Sequence, residues 1–156
     1  MMIIDGKKEA EILRQEIKKE IVSLKSKNNK VPGLTVILIG DFAPSQIYVK
    51  NKEKSAKEVG INSNIVRYSK EVTEEEILKK IEDLNNDTDV SGILVQLPLP
   101  PQINKEKIIN AVSPKKDVDG FHPMNVGNLS SGYHALVPCT PLGCLYLIKK
   151  VEKNLS

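Results

Sequence analysis

Leu34-Thr35-Val36-Ile37-Leu38-Ile39 is a continuous apolar and β-branched run set between Pro32-Gly33 and Gly40. A strand with one face in water alternates polar and apolar residues, so this unbroken run is the pattern of a strand covered on both sides. Helices must then lie above and below it, which a parallel sheet with helical crossovers supplies. The neighbouring segments agree. Asp5 can cap a helix from about Gly6 to Asn28, in which Ala10, Leu13, Ile17, Ile21 and Leu24 recur every three or four residues and lysines fill the other face. Beyond the strand, Asp41-Phe42-Ala43-Pro44 makes a turn, Ser45 is placed to cap a second helix, and Gly60 stands where a left-handed residue would end it. Asn64 to Tyr68 reads as a second strand, and Thr73-x-x-Glu76 is a capping box opening a helix through Leu84. Ser91 to Leu97 is a third strand, stopped by Pro98, Pro100 and Pro101, which cannot donate to a ladder. A short helix from Asn104 to Ala111 follows, and a last one, capped by Thr140 with Pro141 in its first turn, runs toward Asn154. The expected class is a three-layer α/β domain with a short, mainly parallel sheet flanked by helices.

A length of 156 residues with 40% hydrophobic content allows one buried core and is too short for two full α/β domains. No apolar run approaches the roughly 20 residues of a membrane span, so no membrane partner is expected. The 23 basic residues are almost all lysines spread along helix faces, which suits solvated surfaces better than the clustered, aromatic-laced footprint of a nucleic-acid binder. Cys139 and Cys144 have no ligand-like spacing to His122 or His134, so no metal is expected. The N-terminus lacks the pattern of a secretory leader, and a reducing cytoplasm is the expected location.

Polar groups at the ends of core elements mark a candidate active site. Tyr48 and Lys52 lie four residues apart and share a face if the segment is helical, so a ring and an amine can reach one ligand just past a strand end. Gln96 interrupts an otherwise apolar strand, and a lone amide there needs a partner from the protein or a ligand. Asp117 and Asp119 flank Val118 in a glycine-containing loop able to bring a carboxylate near that strand end, and spacing alone does not choose between them. On composition alone, Lys52 reads as a solvated lysine, Tyr48 as a half-buried aromatic and Asp119 as an Asx-turn residue.

The stretches Ser45 to Lys52, Gly92 to Pro100, Lys116 to Pro123 and Pro138 to Gly143, in this order and with similar separations, resemble the bifunctional methylenetetrahydrofolate dehydrogenase/methenyltetrahydrofolate cyclohydrolase family. The likeness begins at Ile4-Asp5-Gly6-Lys7 and continues to the last residue. It implies interconversion of 5,10-methylene-, 5,10-methenyl- and 10-formyltetrahydrofolate, by hydride transfer to NADP followed by hydrolysis. It makes Lys52 the acid/base group of the hydrolytic step, Gln96 its hydrogen-bonding partner, Tyr48 the ring that stacks on the pterin, and Asp119 the acceptor of the pterin's amide and amino donors. Val49 and Val95 join the folate site, and Leu97, Pro98, Leu99 and Pro100 form a wall along the aminobenzoate. Asp117 becomes a turn-stabilising neighbour.

The resemblance also implies that residues 1–138 are the folate-binding catalytic domain, and that 139–156 begin a helix leading to a nucleotide-binding domain absent from this sequence. No G-x-G-x-x-G occurs, so no cofactor site is expected in this chain, and NADP would belong to the full-length parent. Full-length members are expected to be homodimers and this chain a monomer. Tyr-x-x-x-Lys is also the signature of short-chain dehydrogenases, but Leu34 to Gly40 leads into Asp41-Phe42-Ala43-Pro44 and not into a glycine-rich nucleotide loop. An inactive folate-binding or structural fragment is the alternative.

Overall fold

A computed structural model of the chain describes residues 3–152. Three parallel strands, β1 (Gly33–Ile39), β2 (Asn62–Tyr68) and β3 (Gly92–Val95), lie in the order β2-β1-β3. β1 is therefore central. Ile37 stands beside Val66 on one side and Val95 on the other. Val36 to Ile39 are all buried, which accounts for the unbroken apolar run, while β2 at the edge alternates in exposure.

Six helices complete the described residues: α1 (Gly6–Asn28), α2 (Ala43–Val59), α3 (Glu74–Asn86), α4 (Lys105–Ala111), α5 (Pro123–Ser130) and α6 (Cys139–Val151). Two clusters fill the space on either side of the sheet. Ile37, Ile39 and Ile93 meet Ile77, Ile81 and Leu84 of α3 and Ile108 of α4, whereas Val36, Leu38 and Leu94 meet Val49 of α2. This is the expected three-layer arrangement. The sheet is short, and the chain lengthens it by pairing Ile93 with Asp117 in parallel, the Ile93 N–H donating to the Lys116 carbonyl at 2.7 Å.

Several helix ends follow the capping rules. The Asp5 carboxylate accepts from the Lys8 N–H, Thr73 and Glu76 form the reciprocal capping box, and Gly60 ends α2 at φ 93°. Two caps are corrected. α2 begins two residues before Ser45, with Phe42 at the cap and Pro44 in the first turn, because the Ser45 hydroxyl is engaged elsewhere, donating to the Leu97 carbonyl at 3.3 Å. Thr140 likewise lies inside α6, whose cap position is Pro138, and the expected end at Asn154 lies outside the described residues. The ladder-paired part of β3 is shorter than Ser91 to Leu97, although the Gln96 N–H still donates to the Ile37 carbonyl before the cis Leu97–Pro98 bond turns the chain away. Helix α5 was not foreseen. His122 caps it through Nδ1, which accepts from the Met124 N–H, while Gly127 and the exposed Met124, Val126 and Leu129 conceal any periodicity.

The apolar stripe of α1 is only partly covered: of its five repeating residues Ile21 alone is fully buried, and Leu13 and Leu24 stay exposed. Among the described residues no helix is long and apolar enough to cross a membrane.

Because Ile37 is fully buried in the cluster under α3 and α4, Ile37→Ala should destabilise the chain by about 2–5 kcal/mol in urea unfolding, whereas Val22→Ala on the open side of α1 should stay within about 0.5 kcal/mol. Equal effects would mean that β1 is not the centre of the core.

Candidate active site

The inward face of α2 repeats at Ser45, Val49, Lys52 and Ala56, and it lies against the sheet beside β3. Val49 is 0% exposed and packs with Val36, Leu38 and Leu94, so its side chain seats the helix and has no open surface to offer a ligand. One turn further on, the Lys52 ammonium donates to Gln96 Oε1 at 3.1 Å. Gln96 Nε2 donates in turn to the Leu97 carbonyl at 2.9 Å, which also accepts from Ser45. A carbonyl partner can take only the amide nitrogen, so the oxygen of Gln96 is obliged to face Lys52. Gln96, the residue that follows β3, thus aims one lysine, and the other protons of that amine remain for a ligand.

Tyr48, one turn before Lys52, is 62% exposed. Pro98 is exposed, Pro100 half-buried, and Leu99 turns inward onto the α3 and α4 cluster. Val95 and Leu97 line a small pocket of about 20 Å³ with Asp119 and Phe121. Leu97 thus stands beside Asp119, while Leu99 packs against the core.

The two aspartates have different surroundings. Asp117 is 6% exposed, and its Oδ2 accepts from the His122 N–H and from Asn125 Nδ2, both at 2.9 Å. Asp119 is half-buried, and its carboxylate has neither a hydrogen bond nor an ion pair among the described residues. Burial pushes its carboxyl above the usual range, the nearby Lys52 charge opposes that rise, and the Asp117 charge adds to it. An unpaired carboxylate facing a lysine that is itself only singly bonded is a place for a ligand rich in donors.

Lys52 and Asp119 line a groove of about 560 Å³ together with Leu34, Leu94, Val59 and Ile17. Cys139 borders the same groove, its thiol donating to the Val118 carbonyl at 3.3 Å. Partial burial raises the Cys139 thiol, with the Asp119 charge adding and Lys52 opposing, and its bond to Val118 makes it a clip between α6 and the loop. Gly120, at φ 67°, completes that clip, because a Cβ there would come within 2.7 Å of the Leu136 carbonyl and 2.8 Å of the Pro138 nitrogen. The start of α6 is thereby held against the Asp119 loop. Position within Pro138-Cys139-Thr140-Pro141 was the sequence signal for Cys139, but nothing in its spacing pointed to Val118.

The profile of the family described as tetrahydrofolate dehydrogenase/cyclohydrolase, catalytic domain, matches residues 4–119. The chain belongs to this family. The bifunctional protein FolD of Pelagibacter ubique is 64% identical over 156 residues, which is 100% of this chain and 56% of that protein. The crystal structure of the bifunctional FolD methylenetetrahydrofolate dehydrogenase/cyclohydrolase from Campylobacter jejuni superposes with TM-score 0.93 at 45% identity, covering 96% of this chain and 53% of its own. That of the Trypanosoma brucei FolD, complexed with NADP cofactor and inhibitor, does so with TM-score 0.92 at 33% identity, covering 96% and 51%. The chain thus spans about half the length of the relatives it matches.

α2, which follows β1, is entered through Phe42, Ala43 and Pro44, and the proline removes one of the amides that would have to face a phosphate. Among the described residues no three His, Cys, Asp or Glu side chains gather to hold a metal.

A carboxyl whose folded pKa lies above its unfolded one binds protons more tightly in the folded state. Stability then falls as pH rises from the ordinary aspartate value through the raised one, and the cost is complete above that window. Asp119→Asn should accordingly raise the urea midpoint at neutral pH, with the gain vanishing as pH falls toward about 3.9. A variant less stable than the parent at neutral pH would reveal a partner for the carboxylate that the geometry lacks.

Proposed function

We propose that this chain is the folate-binding, hydrolytic half of a bifunctional tetrahydrofolate dehydrogenase/cyclohydrolase. The observation that carries the reading is the Lys52–Gln96 hydrogen bond set beside the unpaired Asp119 carboxylate. Tetrahydrofolate presents a pterin with adjacent amide and amino donors, and one ionised carboxylate can accept both at once, fixing the ring. Tyr48, exposed on the same helix, supplies a face for that ring to stack on.

With the pterin so oriented, its one-carbon bridge faces Lys52. Hydrolysis of 5,10-methenyltetrahydrofolate begins when water adds to the electrophilic methenyl carbon and gives up a proton. The N5–carbon bond then breaks as N5 takes a proton, leaving the formyl group on N10 and releasing one proton overall. A single amine, neutral to accept the first proton and ammonium to return it, serves both steps, and Gln96 keeps it aimed. Oxidation of the methylene compound is a separate step that needs a nicotinamide acceptor, which in this reading the nucleotide-binding unit of the full-length protein holds. In this reading residues through 138 form the folate unit, residues from 139 begin the connection to the nucleotide-binding unit, and the chain alone is a monomer.

The open setting of Tyr48 favours a second reading, a folate binder without catalytic turnover. Loss of the methenyl chromophore in the presence of the 156-residue chain separates the two: turnover supports the first, and binding without turnover the second. If Lys52 cycles the proton, Lys52→Met should slow that hydrolysis by about 10²–10⁴-fold while leaving tetrahydrofolate affinity nearly intact. Equal loss of rate and affinity would make Lys52 a binding residue only. Asp119→Ala should weaken calorimetric tetrahydrofolate binding by about 2–4 kcal/mol, since the pterin donors are left unpaired. An unchanged affinity would remove Asp119 from the site.

A further inference from the structure

Asp117 is a buried carboxylate in a loop where a neutral residue could make the same turn, and burying a charge is costly unless it is well bonded. Its bonds are good. Oδ2 accepts from the His122 N–H and from Asn125 Nδ2, and the same Asn125 nitrogen also donates to the Pro114 carbonyl at 2.9 Å. Asn125 is 5% exposed, so this bridge is closed off from water. Upstream, the Lys116 ammonium donates to the Leu84 and Asp87 carbonyls at the end of α3, and the Lys116 carbonyl accepts from Ile93 of β3. Downstream, Val118 fills the space left by Gly92, where a Cβ would come within 2.4 Å of the valine. Every residue around Asp119 is thus anchored, while its own carboxylate is held by nothing.

We propose that Asp117 and Asn125 are positioning residues: their buried bridge sets the loop that presents the Asp119 carboxylate opposite Lys52. The assignment deepens the folate reading and rests on it for the ligand, but the geometry it claims exists without one. The groups facing Asp119 are Lys52 from α2, Cys139 from α6 and Asp117 from its own loop, while the neighbours Ile93 and Val95 of β3, Ile108 and Ile109 of α4 and Val112 just after it carry no charge. Removing the Asp117 charge while keeping its acceptor therefore changes one identifiable influence on Asp119.

The test has a ligand-free arm and a ligand arm, both on the 156-residue chain. Carboxyl NMR titration of Asp117→Asn, whose amide oxygen can still accept from His122 and Asn125, should move the Asp119 midpoint below that of the parent protein. An unmoved midpoint would mean that Asp117 does not face Asp119 and would overturn the proposal. In the second arm, Asn125→Leu should weaken tetrahydrofolate binding about tenfold, and adding Asp119→Ala to it should cost no more than about threefold beyond Asp119→Ala alone. Fully multiplicative losses would show that the two residues act independently and would also overturn it. If the parent protein fails to bind tetrahydrofolate at all, the folate reading falls, and the titration arm decides the positioning role alone.

Discussion

The enclosure of β1 on both faces is the constraint from which the rest follows. A central parallel strand has no face left for water, so it demands α2 on one side and α3 with α4 on the other. Parallel pairing, in turn, sends every crossover back over the sheet and delivers the ends of β1 and β3 to the same edge. At that edge the chain leaves the ladder, and polar groups no longer have to be spent on backbone pairing. Gln96 stands at this boundary: its backbone is still bonded to Ile37 while its side chain is free to aim Lys52.

The site uses the core as its ruler. Val49 is buried so that Lys52, one turn along, meets β3 at hydrogen-bonding distance, and Ser45 ties the start of the same helix to the Leu97 carbonyl that also receives Gln96. The loop from Lys116 to Gly120 works in the same way. It is paired to β3, bonded to the end of α3, packed against Gly92 and clipped to α6, and it leaves a single carboxylate unsatisfied. A costly, half-buried, unpaired carboxylate in an otherwise satisfied loop marks where the structure expects something it does not itself contain.

The strands and most helix limits were legible because they depend on local rules: the apolar run of β1, the Thr73–Glu76 box, and the glycine after α2. The starts of α2 and α6 were misplaced because a proline in the first turn and a serine hydroxyl claimed by a distant carbonyl outweighed the usual side-chain cap. Helix α5 escaped because its partners are polar: Asn125 and the His122 cap hold it through hydrogen bonds, not through an apolar stripe. Of the site, Tyr48, Lys52 and Gln96 could be singled out from spacing and from a polar break in a strand. The different surroundings of Asp117 and Asp119 could not, since the donors that saturate the first come from a helix with no periodic signature. Val49, expected beside the folate, is fully buried against Val36, Leu38 and Leu94.

A crystal structure of this chain soaked with tetrahydrofolate tests the central claim most directly. The pterin should lie with its amide and amino donors on the Asp119 carboxylate, its ring against Tyr48, and the N5 to N10 region within about 3.2 Å of Lys52 Nζ or one water away. A folate lodged instead along the apolar groove by Leu34 and Val59, with Asp119 still unpaired and Lys52 bonded only to Gln96, would contradict the assignment of this site.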